Sequence, residues 1–220
     1  MDFGSYKDFP LEIWKKKAMA FLIRTIHQLW GKKSEDVLAL LFVLGFKNSF
    51  IMDMMFGWNK KLTLRPSESF GINDSSMDHI EFKQGIVIPY IKDKVLLKLF
   101  IAGFDDKGLH ETLKIKGSSS EPVFWTANSK YLLLSKDMLL SCYLKQEFGD
   151  QFDILNFLED EMEDQSLFQE LFKKYEKIFV FNLNEKKLKE FKDSLQKFEF
   201  IKENPFDKNF DSHLILSHIK

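Results

Sequence analysis

Five carboxylates crowd into the six residues EDEMED at 159–164. They form the densest set of hard oxygen ligands in the chain, the type that divalent cations prefer. On a helix Asp160 and Asp164 would share one face at i, i+4 and could hold a cation between them. The same residues equally suit the acidic first turn of a solvated helix, where the dipole favours negative charge. Asp137 is open to the same two readings, as a third cation ligand or as a helix N-terminal residue. The histidines (His27, His79, His110, His213, His218) have no HxxxH or HExxH spacing, so zinc has no ligand set. Cys142 is the single cysteine, which excludes an intramolecular disulfide and a cysteine zinc site. It lies in an apolar helical stretch and reads as a buried small hydrophobe. No G-x-S-x-G elbow frames a nucleophilic serine. The run KIKGSSS (114–120) lacks the G-x-x-x-x-G-K-[ST] spacing of a P-loop.

Basic and aromatic residues offer a second chemistry. Net charge is −1 over 220 residues, which gives no bulk attraction to nucleic acid or membrane. The charge is uneven, about +4 before residue 121 and about −5 after it. Only Arg24 and Arg65 are arginines among 32 basic residues, a small supply of the planar fork that grips phosphates. Trp14, Phe21 and Trp30 recur at helical spacing and read as core. Trp58 and Trp125 lie near turns, where an exposed ring could stack on a base.

The elements that must position these groups follow from periodicity. Residues 11–30 place Leu11, Trp14, Ala18, Phe21, Leu22, Ile26 and Leu29 on one helical face with the lysines opposite. Ser34, before Glu35 and Asp36, is a candidate N-cap for a helix over 35–44. A third helix is expected over 48–56, closed by Gly57. Turn residues dominate 59–81, which reads as loop. Short β-type runs at 85–90, 95–102 and 113–116, split by turn signals, suggest a small antiparallel sheet. From 130 onward apolar strands (130–134, 152–157, 177–181, 199–201) alternate with helices (136–148, 160–175, 185–197), the pattern of a parallel sheet with covering helices. The expected architecture is α/β, α+β overall, in three parts: a helical lobe (1–58), a strand-rich middle (59–129) and the parallel sheet (130–220). The longest apolar runs, such as 37–46, are too short to span a bilayer, and no signal-peptide pattern opens the chain. A cytoplasmic location is expected.

The order of four short segments carries a resemblance. LGFKNSFIMDMMFGWN (44–59), RPSESFGI (65–72), GIVIPYIKDKVLLKLFI (85–101) and KIKGSS (114–119) together resemble the TOPRIM-containing catalytic core of DNA primases of the phage and mobile-element type, without their zinc-binding domain. The similarity runs over roughly residues 10–215. It implies a TOPRIM-like sheet in which a glutamate ends the first strand and a DxDxxG pattern follows the third. Those positions fall here on Ser135, on Asn182 and Asn184, and on Lys187; a later Lys–Asp pair falls on Lys208 and Asn209. Mg²⁺ needs anionic oxygens at short, near-octahedral distances, and a hydroxyl and two amides carry no net charge. The resemblance therefore implies a degenerate pocket with no metal cofactor and no primer synthesis. DNA or RNA, or a primase or helicase protein, would be the partner. It places template contacts on Lys60, Lys61, Arg65 and Lys116. The alternative is an active Mg²⁺-dependent primase or nuclease whose ligands have moved to Asp137, Asp160 and Asp164.

Overall fold

Trp14, Ala18, Phe21, Leu22 and Leu29 lie along one stripe of helix α1 (Glu12–Leu29), and that stripe is buried. A computed structural model describes residues 11–73, 78–105, 108–157, 165–183, 188, 191–202 and 205–206. The chain divides into two compact units, Met1–Glu121 and Pro122–Lys220.

In the first unit α1 is followed by α2 (Glu35–Val43) and α3 (Asn48–Asp53). Four strands form an antiparallel sheet in the order β1-β4-β5-β6: β1 (Gly57–Asn59), β4 (Gly85–Lys92), β5 (Val95–Asp105) and β6 (Gly108–Lys114). Asp93 and Lys94 both take positive φ between β4 and β5, the backbone of a type I′ hairpin. Pro89 lies beyond the three residue pairs that join β4 to β1, so the missing N–H removes nothing from that ladder. The α1 stripe packs with Phe82, Val87, Leu99 and Ile101 into one apolar cluster.

Three expectations are corrected in this unit. The 59–81 segment is not loop throughout: β2 (Thr63–Pro66) pairs antiparallel with β3 (His79–Phe82), and Ser67–Phe70 forms a 3-10 turn. The partners are separated by turn-rich residues, so no hairpin signal links them in sequence. Ser34 does not cap α2 with its side chain, because its Oγ donates to the Gln28 carbonyl at 2.7 Å. α3 stops at Asp53, because Met55 takes a positive φ of 56° and redirects the chain. Gly57 then opens β1 rather than closing a helix. A Cβ there would fall 2.3 Å from Thr25 Oγ1, so glycine lets β1 lie directly on α1.

The second unit is a five-stranded sheet in the order β11-β10-β8-β9-β7. β8 (Tyr131–Ser135), β9 (Asp153–Asn156), β10 (Lys177–Phe181) and β11 (Phe198–Ile201) run parallel; β7 (Val123–Trp125) is the antiparallel edge. Helices α4 (Met138–Phe148) and α5 (Gln165–Lys173) alternate with the strands. Lys192–Lys197 is a 3-10 segment where a helix over 185–197 is expected. The α/β expectation holds.

The KIKGSSS run has a structural task. Trp14 Nε1 donates to the Lys116 carbonyl at 2.8 Å. Gly117 has φ +84°, and a Cβ on it would sit 2.3 Å from Trp14 Cδ1. Ser118 Oγ accepts from the Leu99 amide, and Ser119 Oγ from the Glu121 amide. Gly117→Ala combines a disfavoured φ with overpacking against a buried indole, and should lower the unfolding free energy by about 2–4 kcal/mol. Urea titration measures this. In a Trp14→Ala background, which removes the ring that the added methyl would meet, the added cost of Gly117→Ala should fall by at least half.

Candidate functional site

Parallel α/β sheets present their ligand-binding groups beyond the carboxyl ends of the strands. In the second unit that rim is set by register: Ser135 on β8 lies opposite Phe181 on β10 and Asn156 on β9. Asn182 is the next residue after β10. The expected neighbourhood of Ser135 and Asn182, at the ends of adjacent parallel strands, is therefore present. Asn156, not singled out by sequence reasoning, joins them; its only signal is that it ends an apolar strand.

Most of the described rim is already internally bonded. Ser135 is fully buried, and its Oγ accepts from the Asp137 amide at 3.1 Å. Asn156 Nδ2 donates to the Ser135 carbonyl at 3.0 Å. Asp137 is the N-cap of α4, its Oδ1 accepting from the Leu140 amide at 2.8 Å. Asn182 is exposed in the left-handed region at φ 54°, a conformation that asparagine tolerates. Mg²⁺ does not fit this donor set, which offers a committed hydroxyl and amides where anionic oxygens are needed. Among the described residues no three His, Cys, Asp or Glu side chains converge as a metal site. Asn184, Lys187, Asp160, Asp164, Lys208 and Asn209 lie outside the described residues, as does the whole EDEMED run.

One buried carboxylate does collect donors, at the opposite end of the strands. Asp153 opens β9; its Oδ1 accepts from the Ala127 and Ser129 amides at 2.7 and 3.1 Å, and from Thr126 Oγ1 at 3.2 Å. Its Oδ2 accepts from the Tyr175 hydroxyl at 2.7 Å. Its bonds tie the 126–129 segment to the sheet. Cys142 is buried in α4, and burial, reinforced by the Asp137 charge, pushes its thiol well above the usual range. It is no nucleophile.

The four basic residues picked from sequence do not share one cleft. Lys60 and Lys61 are exposed after β1. Arg65, on β2, lines a cleft of about 350 Å³ facing α1. Lys116 lines another, of about 370 Å³, with His79, Lys83 and Lys114. Trp58 is buried and meets Phe104 edge to face at 6.1 Å, which removes it as a stacking platform. Trp125 is half-buried on the edge strand β7.

An antiparallel sheet in one unit and a mainly parallel sheet in the other is a combination that solved primase catalytic cores share. Solved structures agree on the fold. The chain is similar to the RNA polymerase domain of Mycobacterium tuberculosis primase DnaG (TM-score 0.61, 9% identity, 94% of this chain and 82% of that one). It is similar as well to the E. coli primase catalytic core (0.58, 11%, 94% and 75%). A third neighbour is a DnaG primase catalytic domain bound to ssDNA (0.57, 10%, 94% and 77%). No protein-family model matches the sequence, and no curated protein matches it. Among the described residues no helix is long and apolar enough to cross a membrane.

The buried protons give a pH prediction. The Tyr175 phenol is raised by burial and by the hydrogen bond to Asp153, and the Cys142 thiol by burial. Both hold their protons more tightly in the folded chain, so the unfolded chain releases them first as pH rises. Stability should be full below about pH 8 and decline from about pH 8.5 upward, through the ordinary thiol and phenol range. Denaturant midpoints at pH 7, 9 and 10 measure the decline. Tyr175→Phe should make it shallower, while costing about 1–2 kcal/mol at pH 7 by depriving Asp153 Oδ2 of its donor.

Proposed function

We propose that this chain is a degenerate primase core, of the phage and mobile-element type, that binds nucleic acid and does not synthesise primers. The observation that carries the reading is Ser135. It occupies the strand end where the resemblance expects a metal-binding glutamate, and its hydroxyl is spent on the turn into α4. Two-metal chemistry needs carboxylates to neutralise charge on a transferred phosphate, and the described rim supplies only that of Asp137. The relocated-ligand alternative is weakened by Asp137, whose carboxylate caps α4. The nucleic-acid half of the reading draws on the fold neighbours, among them a DnaG domain bound to ssDNA and the M. tuberculosis domain in complex with double-stranded DNA. As such a module the chain would act in the cytoplasm, alone or beside a primase or helicase protein.

Isothermal titration with Mn²⁺ tests the metal half. No saturable binding is expected at low-millimolar concentration, and saturable binding abolished by Asn184→Ala would overturn the proposal. Restoring Ser135→Glu, Asn182→Asp and Asn184→Asp together should create cation binding. It should also lower stability without metal, because the three carboxylates repel one another. Fluorescence anisotropy with labelled DNA at ~50 mM salt tests the other half. Binding is expected to weaken steeply as salt rises, since each neutralised phosphate releases counterions. No binding at low salt would leave a protein partner as the sole target.

A further inference from the structure

The only two arginines of the chain meet in one cleft. Helix α1 offers Lys17, Ala20, Phe21 and Arg24 at i, i+3, i+4 and i+7, one stripe of its surface. Arg65 and Pro66, at the end of β2, form the facing wall, and the space between is about 350 Å³. Three cationic side chains line it and, among the described residues, no carboxylate does. Among the described residues the ion pairs are made by lysines, such as Lys15–Glu12, Lys92–Glu121 and Lys130–Glu176. Neither arginine pairs with a described acid, although acidic residues outnumber basic ones, 33 to 32. Arg24 instead lies over the Phe21 ring at 5.1 Å. Its guanidinium sits below the ordinary value, first through burial and then through the charge of Arg65, so the two cations feel each other. An arrangement that repels itself when empty is relieved by an anion. Phe21 and Phe70 give the cleft its apolar walls, while Lys17, Arg24 and Arg65 remain exposed and accessible.

We propose that this cleft binds a phosphate group, gripped by Arg24 and Arg65 with Lys17 adding charge. Two planar forks suit one tetrahedral anion, because each guanidinium can donate two parallel hydrogen bonds. The proposal rests on the nucleic-acid reading only for the source of the phosphate, which is a nucleotide or a sugar–phosphate backbone. It shifts the weight of recognition from the exposed Lys60 and Lys61 to α1, a segment to which the motif resemblance assigns no contact.

The test uses the full chain and two probes at ~50 mM salt: inorganic triphosphate by calorimetry and a labelled oligothymidine by anisotropy. Arg24→Ala and Arg65→Ala should each weaken binding at least roughly tenfold, the loss of a charge-assisted fork. The double variant should be little weaker than either single one, since both serve one anion. Arg24→Lys, which keeps the charge and loses the fork, should still lose several-fold. Lys60→Ala with Lys61→Ala should change little. Thermal unfolding is the folding control: Arg24→Ala should melt no earlier than the parent, because a repulsion has gone, and triphosphate should raise the parent's midpoint but not the variant's. If the oligonucleotide binds the parent and the arginine variants equally, the cleft is wrong and the nucleic-acid reading stands. If triphosphate binds through the arginines while the oligonucleotide does not bind, the cleft stands and the nucleic-acid reading falls. If neither probe binds the parent, the cleft is overturned.

Discussion

The first unit depends on how one indole is seated. Trp14 lies a single turn into α1, fully buried, and its N–H reaches the Lys116 carbonyl 102 residues away in sequence. A buried indole N–H without an acceptor would cost a hydrogen bond, so the turn at 116–117 must present a carbonyl there and must clear the ring. Gly117 does the second by having no side chain. Once Trp14 is fixed, the i+4, i+7 and i+8 positions Ala18, Phe21 and Leu22 fall onto the sheet. Thr25 then meets the strand that Gly57 opens, where a methyl group would already collide. Two glycines far apart in sequence thus set how closely one helix approaches one sheet.

The same docking decides the electrostatics of α1. Burying the Trp14–Leu22 stripe turns the Lys17–Arg24 stripe outward, toward Pro66 and Arg65. Arg65 can face it because β2 is a short strand paired only with β3, in a ribbon separate from the four-stranded sheet. A lysine at these positions would find water or a carboxylate more easily than an arginine, as the lysine ion pairs elsewhere illustrate. Placing both arginines where no described carboxylate lines the cleft is therefore informative in a chain so poor in arginine.

The β-framework was legible in the sequence wherever one apolar run makes one strand. β8 and β10 lie within a residue of their expected bounds, because both are buried through their length and bracketed by polar residues. The neighbourhood of Ser135 and Asn182 came from the strand–helix alternation together with the primase resemblance. The ribbon of β2 and β3 was not legible, since its pairing runs between segments separated by a turn-rich stretch, and β7 is too short to show periodicity. The cation cleft was half legible. Lys17 and Arg24 stand on the polar side of an evident amphipathic helix, and the resemblance singled out Arg65 as a template contact, but nothing in spacing alone brings α1 to the end of β2. That proximity is tertiary, and it follows from the indole seat.

The two units put their polar groups to opposite uses. In the second, several described polar groups near the strand ends are spent inward: Ser135 on the turn into α4, Asn156 on the Ser135 carbonyl, Asp137 on an α4 amide, Asp153 on four donors at the other end. A group bonded in this way stiffens the sheet but has little capacity left for a ligand, because recruiting it means breaking a buried hydrogen bond first. In the first unit Arg24 and Arg65 have cation–ring and cation–cation neighbours and no hydrogen-bonded acid among the described residues. Capacity to bind an anion thus remains where the fold has left charge uncompensated. It is absent from the described rim of the TOPRIM-like sheet, where the resemblance would put it. Arg24 and Arg65 are exposed at one cleft beside apolar walls, so an anion could reach both without breaking a buried contact first.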